Sequence, residues 1–222
     1  MLVNNPSQDA DQLQGDFSPE QEVVNTVIHA IGILFGVVAI PMLITNAIGS
    51  QHSFSVLSVA VYGLCFLMTF TFSTLYHGLQ RYRIKQFFKL LDRISIYFFI
   101  AGTYTPFVLH YMFDQTGVLL LSAIWVLVIL GILFELFWAK RFFILSMAFY
   151  LLMGWMFVLV SKRFFAAMPT PVIVLICGGV LLYSLGVIFY VWQKWKYHHA
   201  IWHSFVLIAS ICHYLAVWLT VS

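Results

Sequence analysis

The chain has 222 residues, of which 62% are hydrophobic, 18% aromatic and only 9% charged. Soluble domains carry about 25% charged residues, so this composition excludes an ordinary water-soluble domain and belongs in a bilayer. The 11 Lys and Arg exceed the 8 Asp and Glu, and they lie in short breaks between apolar runs, which reads as membrane orientation and not as a nucleic-acid surface.

Residues 1–18 are polar, carry Asp9, Asp11 and Asp16, and contain no Lys or Arg. That is the wrong charge for a signal peptide, so a flexible cytoplasmic tail is expected, followed by one membrane domain over 19–222. Ser18, Pro19 and Gln21 predict the start of the first helix: an N-cap, a proline at the first helical position and a capping-box partner.

Seven segments, roughly 23–47, 53–77, 90–112, 117–138, 142–161, 170–192 and 198–220, are apolar over the roughly 20 residues that a spanning helix needs. Gly32 and Gly36 form a GxxxG in the first, read either as a close helix contact or as glycines without one. Pro41, Pro106, Pro169 and Pro171 mark kinks or helix starts. Cys65, Cys177 and Cys212 all lie inside apolar runs and read as core thiols.

With seven spans, the N-terminal side holds nine Lys and Arg in its loops (Arg81, Arg83, Lys85, Lys89, Arg93, Lys140, Arg141, Lys194 and Lys196). The other side holds two, Lys162 and Arg163. The bias places the N-terminus in the cytoplasm and the C-terminus outside. The fold expected is therefore an all-α seven-transmembrane bundle, multi-pass in the membrane.

The same topology sorts the ionisable groups by depth. His77 ends the second span, Asp92 opens the third, and His199 and His203 open the seventh, all at the cytoplasmic face. His199 and His203 are four apart and share one helical face. With His77 they form a candidate three-histidine metal site with an open position, a ligand set that suits catalytic zinc. The competing reading is a pair of interfacial histidines solvated by headgroup water, with a snorkelling His77.

Asp92 reads either as a carboxylate beside the metal or as a partner of Arg93 or Lys89. Ser73, one turn before His77, either bonds the site or its own i−4 carbonyl. Glu135, close to Lys140 and Arg141 at the inner face, reads as a snorkelled structural charge. Glu22, Asn25 and His29 form one stripe of the first helix, expected to face the bundle as a hydrogen-bonding buttress. His213 lies about 15 Å deeper than His203. No role is assigned to it, nor to His52, His110 or His198. Trp138, Trp192, Trp195 and Trp202 read as an interfacial belt.

Taken in order, Glu22-x-x-Asn25-x-x-x-His29-x-x-Gly32, Ser73-Thr-Leu-Tyr-His77, Leu91-Asp92, Ala101-Gly-Thr-Tyr-Thr-Pro106 and His199-Ala-Ile-Trp-His203 resemble the bacterial hemolysin III branch of the progestin and adipoQ receptor family. The resemblance runs from about residue 18 to the C-terminal end. It implies seven helices with a cytoplasmic N-terminus, Zn2+ held by the positions of His77, His199 and His203, and Ser73 and Asp92 beside it. The long N-terminal extension of the animal receptors has no counterpart here, so a hormone-receptor role is not expected.

Three functions are weighed. The first is a zinc-dependent intramembrane lipid hydrolase of the amidase or ceramidase type, with Asp92 as general base and Ser73 positioning water or the oxyanion. The second is a non-enzymatic membrane regulator with structural zinc. The third, a pore-forming hemolysin, fits the family name but not the continuously apolar spans of a resident membrane protein. Membrane lipids are the expected partners, with a lipid as the substrate; no protein partner is legible.

Overall fold

The computed structural model describes residues 17–222 except 51, 139 and 140, so the part of the expected tail over 1–16 lies outside the described residues. All regular structure among the described residues is helical: α1 (Pro19–Gly49), α2 (Ser55–Gly78), α3 (Tyr82–Tyr111), α4 (Gln115–Phe137), α5 (Phe143–Gly154), a 3-10 stretch (Met156–Val160), α6 (Ser161–Ala166), α7 (Thr170–Val191) and α8 (His198–Val221). Six are long and apolar enough to cross a membrane, counting Ile144–Ala166 as one. Their outward residues are apolar and exposed, as at Leu34, Phe137 and Leu159, which is the pattern of a lipid-facing surface.

The third expected span differs from its prediction. α3 starts at Tyr82, not near residue 90, so Arg83, Lys85, Lys89 and Arg93 are helical and not in a loop. These charges, with Thr103, Thr105, Pro106 and His110 further on, make α3 too polar to join the six. Polar residues are tolerated there because the helix is packed among others. Tyr97, Ala101, Phe107 and Val108 are buried in the core.

α1 begins as predicted. Ser18 N–H donates to Gln21 Oε1 at 2.7 Å, and Gln21 N–H donates to Ser18 Oγ at 3.4 Å. The Gln21 amide also donates to the Lys196 carbonyl, and Lys196 Nζ lies 2.7 Å from Glu20 Oε2. The Glu20 carboxylate raises the Lys196 pKa above its ordinary value. This exposed ion pair is worth little, but with the Gln21 bond it brings the start of α1 beside the start of α8.

The two glycines make a close contact. A Cβ on Gly32 would collide with the Phe70 ring, and one on Gly36 would lie 2.9 Å from both Leu67 Cδ2 and Phe66 Cε1. Aromatic side chains of α2 thus fill the space that the α1 glycines leave open. Both rings are fully buried.

The fifth span is not the continuous helix expected over 142–161. α5 stops at Gly154, and the chain continues as the 3-10 stretch into α6. Backbone groups freed at such a break need partners, because lipid offers none. Tyr104 of α3 supplies them: its hydroxyl lies 2.9 Å from the Gly154 carbonyl and 3.1 Å from that of Met153, and accepts from Phe157 N–H at 3.2 Å.

Two other expectations are corrected. Glu135 is a structural charge, but it is buried and does not snorkel to the inner face. It pairs with Arg93 Nε at 2.9 Å and accepts from Tyr150 and Tyr97 at 3.2 and 3.4 Å. Trp202 is buried against Gly186 and Tyr190 and leaves the expected belt, while Trp138, Trp192 and Trp195 stay exposed. The three cysteines are free thiols.

Candidate metal centre

Four helices bring polar side chains to one end of the bundle. α2 ends there with Ser73 and His77, and α8 begins there with His199 and His203. Glu22, Asn25 and His29 lie near the start of α1, and Asp92 lies in the first half of α3. His77, His199 and His203 each offer one ligand atom, and these atoms all lie within 4.8 Å of one another, buried.

Glu22 sets the tautomer of His77. The carboxylate is held by Lys85, whose Nζ lies 2.8 Å from Oε1, so it can only accept. His77 Nδ1 therefore carries the proton and donates it to Glu22 Oε2 at 2.6 Å. That leaves a lone pair on His77 Nε2, which faces His203 Nε2 at 3.0 Å. His199 Nε2 has no hydrogen-bond partner among the described residues. A lone pair fixed by a carboxylate behind the ring, together with two further imidazoles, is the donor set of a three-histidine metal site, so the residues present fit a metal ion.

The buttress expected from the α1 stripe is thus Glu22, with Asn25 Nδ2 standing 3.5 Å from the same His77 nitrogen. His29 plays no such part: its ring meets that of His203 edge-on at 4.1 Å, and neither of its nitrogens has a hydrogen-bond partner among the described residues. Lys85, which the sequence placed in a loop, also donates to the Tyr76 carbonyl at 2.9 Å and so caps the end of α2.

Asp92 lies outside the ligand group. Ser73 is fully buried beside the Asp92 carboxyl and does not bond back to its own helix. Thr69 and Thr74, on the same helix, do bond back, to the Cys65 and Phe70 carbonyls at 3.0 and 2.7 Å. Arg93 reaches Glu135, with Nε 2.9 Å from Oε2, while Arg93 and Lys89, the two basic partners weighed for Asp92, both lie close enough to act on its carboxyl.

A cavity of about 440 Å³ opens from the histidines, lined by residues of α1, α2, α3, α5, α7 and α8. Its size is typical of a site for a small ligand. Asp92, His199 and His203 line one end, and Ile96, Phe99 and Met147 line part of its apolar length. On α3 the lining runs from Lys89 to Tyr104, about 22 Å of helix. Phe17 stands at the polar end, stacked on His199 with centroids 4.4 Å apart. Nothing in the sequence singled out Phe17, because an aromatic next to a helix N-cap has many uses.

The remaining histidines separate. His198 lines the cavity, with Nδ1 donating to the Phe189 carbonyl at 3.3 Å. His213 lines its far part. His52 and His110 face each other, centroids 3.8 Å apart, where α2 begins and α3 ends.

A family model described as Haemolysin-III related matches residues 17–214. The chain is 37% identical to the Hemolysin-3 homolog of Bacillus subtilis (strain 168) over 201 residues, which is 90% of this chain and 94% of that protein. It is 36% identical to Hemolysin-3 of Bacillus cereus over 198 residues, 89% and 90% of the two chains. The human Monocyte to macrophage differentiation factor is 30% identical over 164 residues, 71% of this chain and 68% of its own length. With the apolar helices, these matches identify a multi-pass membrane protein, and the chain belongs to the Haemolysin-III related family.

Proposed function

We propose that this protein is a metal-dependent hydrolase that cleaves an amide or ester of a membrane lipid inside the bilayer. One observation carries this reading: a buried three-histidine ligand set, with a carboxylate behind one ring, opens onto an apolar cavity long enough for an acyl chain. His77, His199 and His203 would hold Zn2+. Zinc bound by three histidines supplies Lewis acidity that makes water reactive near neutral pH.

The protein's own groups do the rest. Glu22 keeps the lone pair of His77 directed inward. Asp92, at the wall of the cavity and next to Ser73, accepts a proton at its carboxylate from the attacking water and returns it to the leaving group. Ser73 orients that carboxylate. The apolar walls hold the acyl chain and exclude bulk water. Seven spans with a cytoplasmic N-terminal side are supported by the basic residues gathered at that side, from Arg81 to Arg93 and at Arg141, Lys194 and Lys196, against Lys162 and Arg163 at the other, with α3 as the span that crosses inside the bundle. The Bacillus relatives support a bacterial inner (plasma) membrane.

The test is metal content and turnover measured together on detergent-purified protein, using a panel of N-acyl amides and acyl esters. Wild type is expected to hold about one zinc per chain, by analogy with single three-histidine sites, and to release fatty acid. Asp92→Asn keeps the zinc and loses about 10²–10⁴-fold in turnover. Turnover retained in Asp92→Asn removes the role given to Asp92. Zinc without turnover on any substrate in wild type favours the regulator with a structural metal.

A further inference from the structure

His213 lies on α8, ten residues beyond His203, about 15 Å further along the helix. It is 4% exposed and lines the cavity well away from the metal ligands. An ionisable side chain at such depth is costly unless something uses it. Its ring is held in one place: it stacks on Tyr183 with centroids 5.7 Å apart and planes at 15°. On its other side it sits on Gly179, where a Cβ would lie 2.6 Å from Nε2.

Despite this seating, Nδ1 has no hydrogen-bond partner among the described residues. The polar neighbours are committed elsewhere. Ser210 donates to the Val206 carbonyl at 2.7 Å, so Tyr183 donates its own proton to Ser210 Oγ at 2.8 Å. Thr103 and Ser184 bond back to the Phe99 and Val180 carbonyls. A histidine kept for structure would have one of these as its partner. No second metal-ligand group lies at this depth among the described residues.

We infer that His213 is a recognition point for an oxygen carried part-way along the acyl chain, so that the preferred ligand is a hydroxylated chain and not a plain one. A neutral imidazole has one N–H and one lone pair, and a hydroxyl can meet either, whichever tautomer is present. This inference rests on the reading of the cavity as an acyl-chain site and specifies its ligand class.

The test is equilibrium binding of stearate and of a series of hydroxystearates, with the hydroxyl moved stepwise along the chain, to purified protein in detergent. One position is expected to bind about five- to tenfold tighter than stearate, the worth of one buried hydrogen bond. His213→Phe flattens the profile, so that stearate and every hydroxystearate bind within about twofold of one another. His213→Gln, which retains a donor and an acceptor, keeps part of the preference and serves if the phenylalanine variant does not fold. A flat profile in wild type with stearate bound overturns the inference and leaves the acyl-chain site standing, as does a profile unchanged in His213→Phe. If stearate itself is not held, the acyl-chain reading of the cavity falls and the inference falls with it.

Discussion

His77 uses its two ring nitrogens differently, one donating to Glu22 and the other facing His203, and this division makes Glu22 a residue to change. In Glu22→Gln the acceptor loses its charge, and Lys85 loses its ion-pair partner. Metal affinity is expected to fall about 10–100-fold, the usual cost of losing a carboxylate behind a ligating histidine. Competition with a chromophoric chelator measures this, and unchanged affinity would remove the tautomer argument. His203→Ala removes a ligand outright, and its metal content should fall to background by mass spectrometry. The α1 stripe was legible as far as its direction, since spacing places Glu22, Asn25 and His29 on one face. Its target was not, because His77 belongs to another helix. Glu135 shows the same limit from the other side. Its nearest basic residues in sequence are Lys140 and Arg141, but its partner is Arg93 on α3.

The break in α5 was invisible for a related reason. Hydropathy measures the cost of transferring a segment into lipid and says nothing about whether its hydrogen-bond ladder is continuous. Gly154 and Trp155 stand in an apolar run like any other. The break holds because Tyr104 meets three backbone groups with one hydroxyl. Tyr104→Phe removes that hydroxyl and is expected to destabilise the protein by about 1–3 kcal/mol, as for unsatisfied buried polar groups. Thermal unfolding in detergent checks this, and a melting temperature equal to wild type would mean that water replaces the hydroxyl. At the α1–α2 contact the sequence offered two readings of Gly32 and Gly36, and the packing of Phe70 and Phe66 decides for close approach. Gly32→Ala drives a methyl into the Phe70 ring and should cost about 1–3 kcal/mol by overpacking, read in the same assay.

Across the whole molecule the candidate ligands come from α2 and α8, so a bound metal would join an early helix to the last. Chelation is then expected to lower the melting temperature, with about 2.7 kcal/mol lost if free metal had stood at a hundred times its Kd. At 2–4 °C per kcal/mol for a chain of this size, the shift is roughly 5–10 °C. A melting curve indifferent to chelator and to added zinc would leave the bundle held by packing alone. The order of the helices and the shared depth of His77, Asp92, His199 and His203 were legible, because apolar length and chain direction determine both. The cavity was not, because it is bounded by side chains from six helices that no local pattern relates.

The polar ligand set lies wholly at one end of the bundle, and this makes the two faces of a closed vesicle chemically unlike. A charged chelator that cannot cross lipid should strip metal from the face where α2 ends and α8 begins, and should leave it in place when applied to the other. Comparing vesicles of opposite sidedness would therefore report which way the chain threads the membrane, with no tag or label on the protein.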